Sequence, residues 1–255
     1  MAEVYAEHIA AGAFRHGSHV LRWREDRAAD RCTMDQIQGG YMKLYAYWRT
    51  SAGFRVRVAL NLKGITVEEI DINLDAGQNL SPDFLAINPE GALPALVVDA
   101  RPALTQSSAI LEYLDETHPE PPLLPADAYG RARVRSLSAL MTADTHPLIV
   151  PRVRKYLTTQ GFDPEKWRAW QIQWFTRGLQ TFERRIANDA MTGTFCHGDT
   201  PGLADICLCS VTAVLEVFKI EVADIPTIDR IVAACMAMPA FSRARPMDQK
   251  GAPRA

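Results

Sequence analysis

The chain has no apolar run approaching the ~20 residues a membrane-crossing helix needs, and this removes any reading as an integral helical membrane protein. Its five cysteines, Cys32, Cys196, Cys207, Cys209 and Cys235, contain no CxxC pair and no Cys/His spacing of a metal site. That excludes a zinc module and a dithiol redox centre and leaves reduced, mostly buried thiols, expected in a reducing cytoplasm. Nor is there an excess of one charge. With 28 Lys and Arg against 30 Asp and Glu and a net charge of −2, no basic field invites nucleic acid or an acidic membrane.

What is present is ordinary for a soluble globular protein: 255 residues, 47% apolar and 23% charged. That length suffices for one large or two small domains. Residues 1–41 stand apart. Arg15, Arg22, Arg24, Arg27 and Arg31 are interspersed with acids and no apolar period is sustained. There is no apolar segment of signal-peptide type, and Glu3, Glu7, Glu25, Asp26, Asp30 and Asp35 argue against an organelle transit peptide, which is poor in acids. The stretch QGGYM can be encoded by a purine-rich, ribosome-binding-like sequence just before an ATG. The expectation is that Met42 is the true start and 1–41 a disordered extension or an over-long start.

From Met42 the pattern becomes regular. KLYAYW alternates as a strand, and the apolar positions of FRVRVALNL, closed by Gly64, predict a helix. TVEEIDINL is a second strand, so the unit is βαβ with a parallel pair. ALPALVVD and PALT then predict a hairpin, and QSSAILEYLDETHP a helix. This order is thioredoxin-like. The proline-rich PEPPLLPADA reads as a linker, and beyond Gly130 every stripe is helical. The predicted organisation is an α/β domain over 42–122, a linker over 123–129 and an all-α domain over 130–255.

Three elements carry chemistry. Thr50 and Ser51 stand where the first helix begins; unpaired N–H groups and a positive dipole end stabilise an anion there, and the hydroxyls can cap the helix or donate to that anion. Pro94 between two short apolar runs is a candidate cis proline, which would leave the backbone of Leu93 to pair with an extended peptide. Gln106 and Ser107 open the third element, a second anion-ready helix start. Each alone reads equally well as a cap or a turn.

Together, YWRTSAGFRVRVALNLKGI, the INP and LPAL segments, LTQSSAILEYLDETHP, LLPAD, THPL and HGDTPGLADICL resemble the zeta class of glutathione transferases, the class of maleylacetoacetate and maleylpyruvate isomerases, from Met42 to about Pro246. The resemblance implies glutathione as cofactor, with Gln106 and Ser107 on its γ-glutamyl group, Leu93 beside Pro94 on its cysteinyl backbone and Thr50 and Ser51 at its sulfur. It also implies further contacts from Gln78, Asn79 and His146, a homodimer, and cis–trans isomerisation by reversible thiolate addition in tyrosine, phenylalanine or gentisate breakdown. No metal, nucleic acid or membrane partner is implied.

The chain departs from that family where the second substrate is expected, at Arg152, Ile149, Val150 and Val217. The family's thiol is replaced by Ala52, two asparagines by Ile149 and Val150, and an arginine, the expected partner of a substrate carboxylate, by Val217. A more apolar pocket leaves two other readings open: a transferase or dehalogenating enzyme for an apolar electrophile, and a glutathione-binding module without turnover. Asp205, with Gly202 three residues before it, is expected to reach back as half of a helix-capping box.

Overall fold

The computed structural model describes residues 41–99 and 101–253, together with the backbone of two short antiparallel ribbons upstream, Ala2–Tyr5 with His19–Trp23 and Ile9–Ala10 with Ala13–Phe14. Apart from those ribbons and Tyr41, the expectation for 1–41 concerns residues outside the described ones.

Strand β1 (Met42–Ala46) is central, and its inward residues Met42, Leu44 and Ala46 are buried. It pairs parallel with β2 (Glu68–Asp71), Tyr45 opposite Ile70, and antiparallel with β3 (Ala95–Val98), Leu44 opposite Leu96. β4 (Leu104–Thr105) completes the order β2-β1-β3-β4. Helix α1 (Ser51–Leu62) supplies the crossover between β1 and β2, and α3 (Ser107–Thr117) follows β4. A short α2 (Pro82–Ile87), capped by Ser81 on the Phe84 N–H, lies between β2 and β3. This is the mixed sheet and βαβ–ββα order of a thioredoxin-like unit, and the remainder is helical.

Helix α1 is the hinge of the architecture because it is covered on two sides. It packs against α3 within the sheet layer and against α7 (Leu203–Phe218) of the helical part. Every residue from Ser51 to Leu60 is buried, which an amphipathic stripe does not require and a helix between two layers does. Two arginines are carried inside with it. Arg57 is 5% exposed and bound through Nε to both carboxylate oxygens of Glu69, at 3.0 and 3.2 Å.

The helical part comprises α4 (Ala128–Ala139), α5 (Pro151–Thr159), α6 (Pro164–Ile186), α7, α8 (Pro226–Met236) and α9 (Pro239–Ser242). The sequence stripe from Arg133 to Leu157 is not continuous. After Ala139 the chain winds into a π-helical turn, Leu140–Thr145, and a 3₁₀ turn, His146–Ile149. Pro147 and Pro151 lack the N–H groups that an α-helical ladder needs there. Thr145 is wedged against α6 at Gly178, where a Cβ would lie 2.2 Å from Thr145 Oγ1. At the start of α7, Asp205 reaches back as expected, accepting from the N–H groups of Gly202 and Cys196 at 2.8 Å each. No helix among the described residues is long and apolar enough to cross a membrane.

Candidate functional site

A cleft opens between the C-terminal side of the sheet and the π-turn. Three backbone devices from the α/β unit converge on it. The first is the start of α1. Thr50 is its N-cap, with Oγ1 accepting from the Gly53 N–H at 3.1 Å and donating to the Tyr47 carbonyl at 3.1 Å. That donation is long for an O–H···O bond, so the proton can be turned toward another acceptor at small cost. Ser51 follows at the first helical position and is 2% exposed, so it offers its N–H to the dipole end more than its hydroxyl to solvent.

The second device is the segment before β3. The Leu93–Pro94 peptide is cis, and among the described residues no backbone hydrogen bond uses the Leu93 N–H or C=O. Asn88, fully buried, holds this loop in place by donating to the Ala92 carbonyl at 2.8 Å and accepting from the Glu90 N–H at 3.1 Å. The third is the start of α3. Gln106 has φ 64° and ψ 108°, a conformation costing a non-glycine residue of order 1–3 kcal/mol. Its Nε2 donates to Glu90 at 2.9 Å. Ser107 and Ser108 present the helix N-terminus to the same cleft.

The helical part supplies the opposite wall: Thr142, His146, Pro147, Val150 and Arg152, with Ala52 and Arg55 of α1 between the two walls. The π-turn places Thr142 and His146 four residues apart on one side, so the cleft depends on an irregular helix, as functional sites often do. Burial, reinforced by the positive charges of Arg55 and Arg152, pushes the half-buried His146 imidazole down to about 3. It is therefore neutral near pH 7, able to accept at one nitrogen and donate at the other. Arg152 lies exposed at the rim, whereas Arg55 is 2% exposed, and burial lowers its guanidinium from the usual range.

Of the residues singled out from sequence, Leu93, Pro94, Gln106, Ser107, His146, Val150 and Arg152 line one cleft. Thr50 and Ser51 adjoin it, the wall itself beginning at Ala52. Four lie elsewhere. Gln78 Oε1 accepts from the Asn73 N–H at 2.8 Å, closing its own loop, and Asn79 Nδ2 donates to the Gly91 carbonyl at 2.7 Å, tying that loop to the segment before β3. Ile149 is 6% exposed within the apolar core. Val217 sits half-buried near the end of α7, off the cleft wall. Sequence reasoning missed Asn88, Glu90 and Thr142. The INPEG segment held the signal for the first two, as an Asx-type turn before the proline strand; nothing in the sequence announced the π-turn that delivers Thr142.

Comparison with known proteins follows the same lines. Residues 40–116 match the family described as glutathione S-transferase, N-terminal domain. A maleylacetoacetate isomerase of Pseudomonas aeruginosa PAO1 is 41% identical over 216 residues, 84% of this chain and 100% of that one. A maleylpyruvate isomerase of a Ralstonia species is 41% identical over 209 residues, covering 82% and 98%. The crystal structure of a maleylacetoacetate isomerase from Methylobacterium extorquens AM1 with bound malonate and glutathione is 49% identical, covering 83% of this chain and all of that one, with a TM-score of 0.81.

Proposed function

Because the chain belongs to the zeta class of the glutathione transferase family, we propose that it is a glutathione-dependent cis–trans isomerase acting on maleylacetoacetate or maleylpyruvate in aromatic catabolism. The observation that carries this reading is the convergence of two open helix N-termini, the unpaired Leu93 backbone and a neutral His146 on one cleft.

These groups fit glutathione, an extended peptide with an ammonium and two carboxylates. The N-terminus of α3, with Ser107, suits the γ-glutamyl carboxylate, and Glu90, oriented by Gln106, suits the ammonium beside it. Leu93 pairs with the cysteinyl backbone as one strand pairs with another. Bound there, glutathione supplies a thiolate that adds reversibly to the conjugated cis double bond, allowing rotation before it leaves. Thr50 holds a hydroxyl proton at the N-cap, directed to sulfur, and with the α1 dipole it favours thiolate over thiol. Ser51 contributes the first free N–H of the helix. His146, uncharged, donates one N–H without adding a cation. Arg152 at the rim attracts an anionic substrate, and Val150 with Ala52 excludes water from the reacting bond.

Two further statements belong to this reading. The chain works as a homodimer, on the strength of its family membership, and light scattering giving the monomer mass would refute it. It resides in the cytoplasm, in keeping with the buried unpaired cysteines 196, 207, 209 and 235. The central test is an ultraviolet assay of maleylacetoacetate and maleylpyruvate isomerisation with and without glutathione. Turnover that requires glutathione, at a kcat above about 1 s⁻¹, supports the isomerase. Glutathione binding without isomerisation refutes it in favour of a transferase for an apolar electrophile, the reading that Ala52 and Val150 on the cleft wall favour.

A further inference from the structure

Among the described residues, Arg55 is the one charged cleft residue that the roles above leave unused. It lies on α1 one helical turn beyond Ser51, an i,i+4 relation that places both on the same side of the helix with Cβ atoms about 5–6 Å apart. Its neighbour Arg57 is paired through Nε and Nη2 with the Glu69 carboxylate and leaves only Nη1 unbonded, whereas Arg55 has no carboxylate partner and its buried Nε and Nη1 have no hydrogen-bond partner among the described residues. The one carboxylate on the cleft wall, Glu90, is exposed and takes the Gln106 amide instead. What faces Arg55 is the neutral His146 and the Cys207 thiol of α7, and His146 feels the charge of Arg152 as well. A guanidinium that is 2% exposed and forked toward a cleft without a counter-charge is costly in the folded chain. Such a group is matched to a planar, bidentate anion entering the cleft.

We propose that Arg55 is the substrate-carboxylate anchor and the determinant of specificity for dicarboxylates. It supplies from α1 a cation inside a cleft whose apolar wall residues, Ala52 and Val150, offer none. The placement explains why a wall with the apolar Ala52 and Val150 is compatible with an acidic substrate: the carboxylate is held within one helical turn of the sulfur site, beside the bond that reacts. The inference rests on the isomerase reading of the same cleft, yet it makes a binding claim that can be tested without turnover.

The experiment is calorimetric titration of succinate into the glutathione-loaded protein. Succinate is a four-carbon dicarboxylate with no double bond for a thiolate to attack. Arg55→Met is expected to weaken succinate binding by about ten- to a hundredfold, the worth of a charge-assisted hydrogen bond, while glutathione affinity changes less than about threefold. In isomerase assays KM should rise by a similar factor and kcat fall far less, the split expected for lost substrate binding. Arg55→Lys keeps the charge and stem but not the fork, and should bind succinate at least about fivefold more weakly; it carries the test if Arg55→Met is insoluble. Unchanged succinate binding in the soluble variant overturns the proposal. So does a loss of glutathione affinity as large as the loss of succinate affinity, which would assign Arg55 to the cofactor or to the fold. Arg55-dependent succinate binding by a protein that does not isomerise sustains the anchor and refutes the isomerase; isomerisation with Arg55-independent succinate binding does the reverse.

Discussion

Replacing Thr50 by valine keeps the shape of the side chain and removes a single hydroxyl, so it separates the capping role that the structure shows from the sulfur-donor role proposed for the same oxygen. As an N-cap, Oγ1 accepts from the Gly53 N–H; losing such a cap costs about 1 kcal/mol of stability. As a donor to sulfur, the same hydroxyl makes a hydrogen bond to a charged acceptor, worth about 1.5–3 kcal/mol. At about 1.36 kcal/mol per pKa unit, the bound thiol of glutathione should titrate about one to two units higher in the variant, since the α1 dipole remains. The assay is an ultraviolet titration of the thiolate in the complex, run beside urea unfolding of the free protein. The expected result is an alkaline shift of the thiolate titration, an equal alkaline shift of the kcat/KM profile, and a stability loss near 1 kcal/mol. Ser51→Ala, removing a hydroxyl from a residue that is 2% exposed, should shift the titration by less than about half a unit. An unshifted titration in Thr50→Val, or the larger shift in Ser51→Ala, would refute the assignment of the donor.

The fold of the α/β unit was legible because its signals are local and agree with one another. Strand β1 alternates, α1 is periodic up to Gly64, and Pro94 and the QSS start stand at the ends of elements where backbone chemistry is decided. The helical part was legible only in outline. One stripe from Arg133 to Leu157 is in fact α4, a π-turn, a 3₁₀ turn and α5. Periodicity does not register the single extra residue per turn that makes a π-helix, and here the cause is tertiary: Thr145 fits against α6 only because residue 178 has no Cβ.

The site shows the same division. Cleft residues marked by backbone position, such as Leu93 and Ser107, were legible in the sequence, since a turn, a proline or a helix start marks them. Residues whose work depends on which partner reaches them first were not. Gln78 and Asn79 have the polar groups of a ligand contact but bond backbone groups of the protein, Gln78 that of Asn73 and Asn79 that of Gly91. Arg55 and Arg57 are two residues apart on one helix, and the sequence does not say which carboxylate, if any, reaches either of them. The structure does, because Glu69 reaches only Arg57.

Three further perturbations test this account. Gly178→Ala should gain up to about 1 kcal/mol of helix propensity and lose more by forcing Thr145 away, for a net destabilisation of about 1–2 kcal/mol in urea unfolding and a weakened glutathione affinity as the π-turn carrying His146 shifts. Lys63→Met removes an ammonium whose side chain is 0% exposed and which bonds Asp115 Oδ1 and the Pro121 carbonyl at 2.9 Å each; the Asp115 carboxylate keeps the Leu123 N–H at 2.8 Å but loses its counter-charge, which should cost about 3 kcal/mol, the low end for breaking a buried pair, and a loss under about 1 kcal/mol would show that α1 is not pinned to the end of α3 this way. His146→Asn tests the neutral imidazole through acid stability. Burial and two nearby cations hold His146 at about 3 against an unfolded value of 6.5, so between those pH values the unfolded chain binds a proton that the folded chain does not. The native state therefore loses stability as pH falls through that window, by roughly 2 kcal/mol at pH 5, the distance from 6.5 multiplied by 1.36 kcal/mol per unit. Asparagine has no such proton. Relative to wild type, the variant should gain that amount between pH 7.5 and pH 5, and parallel stability profiles across the interval would show that His146 is not held neutral by its surroundings.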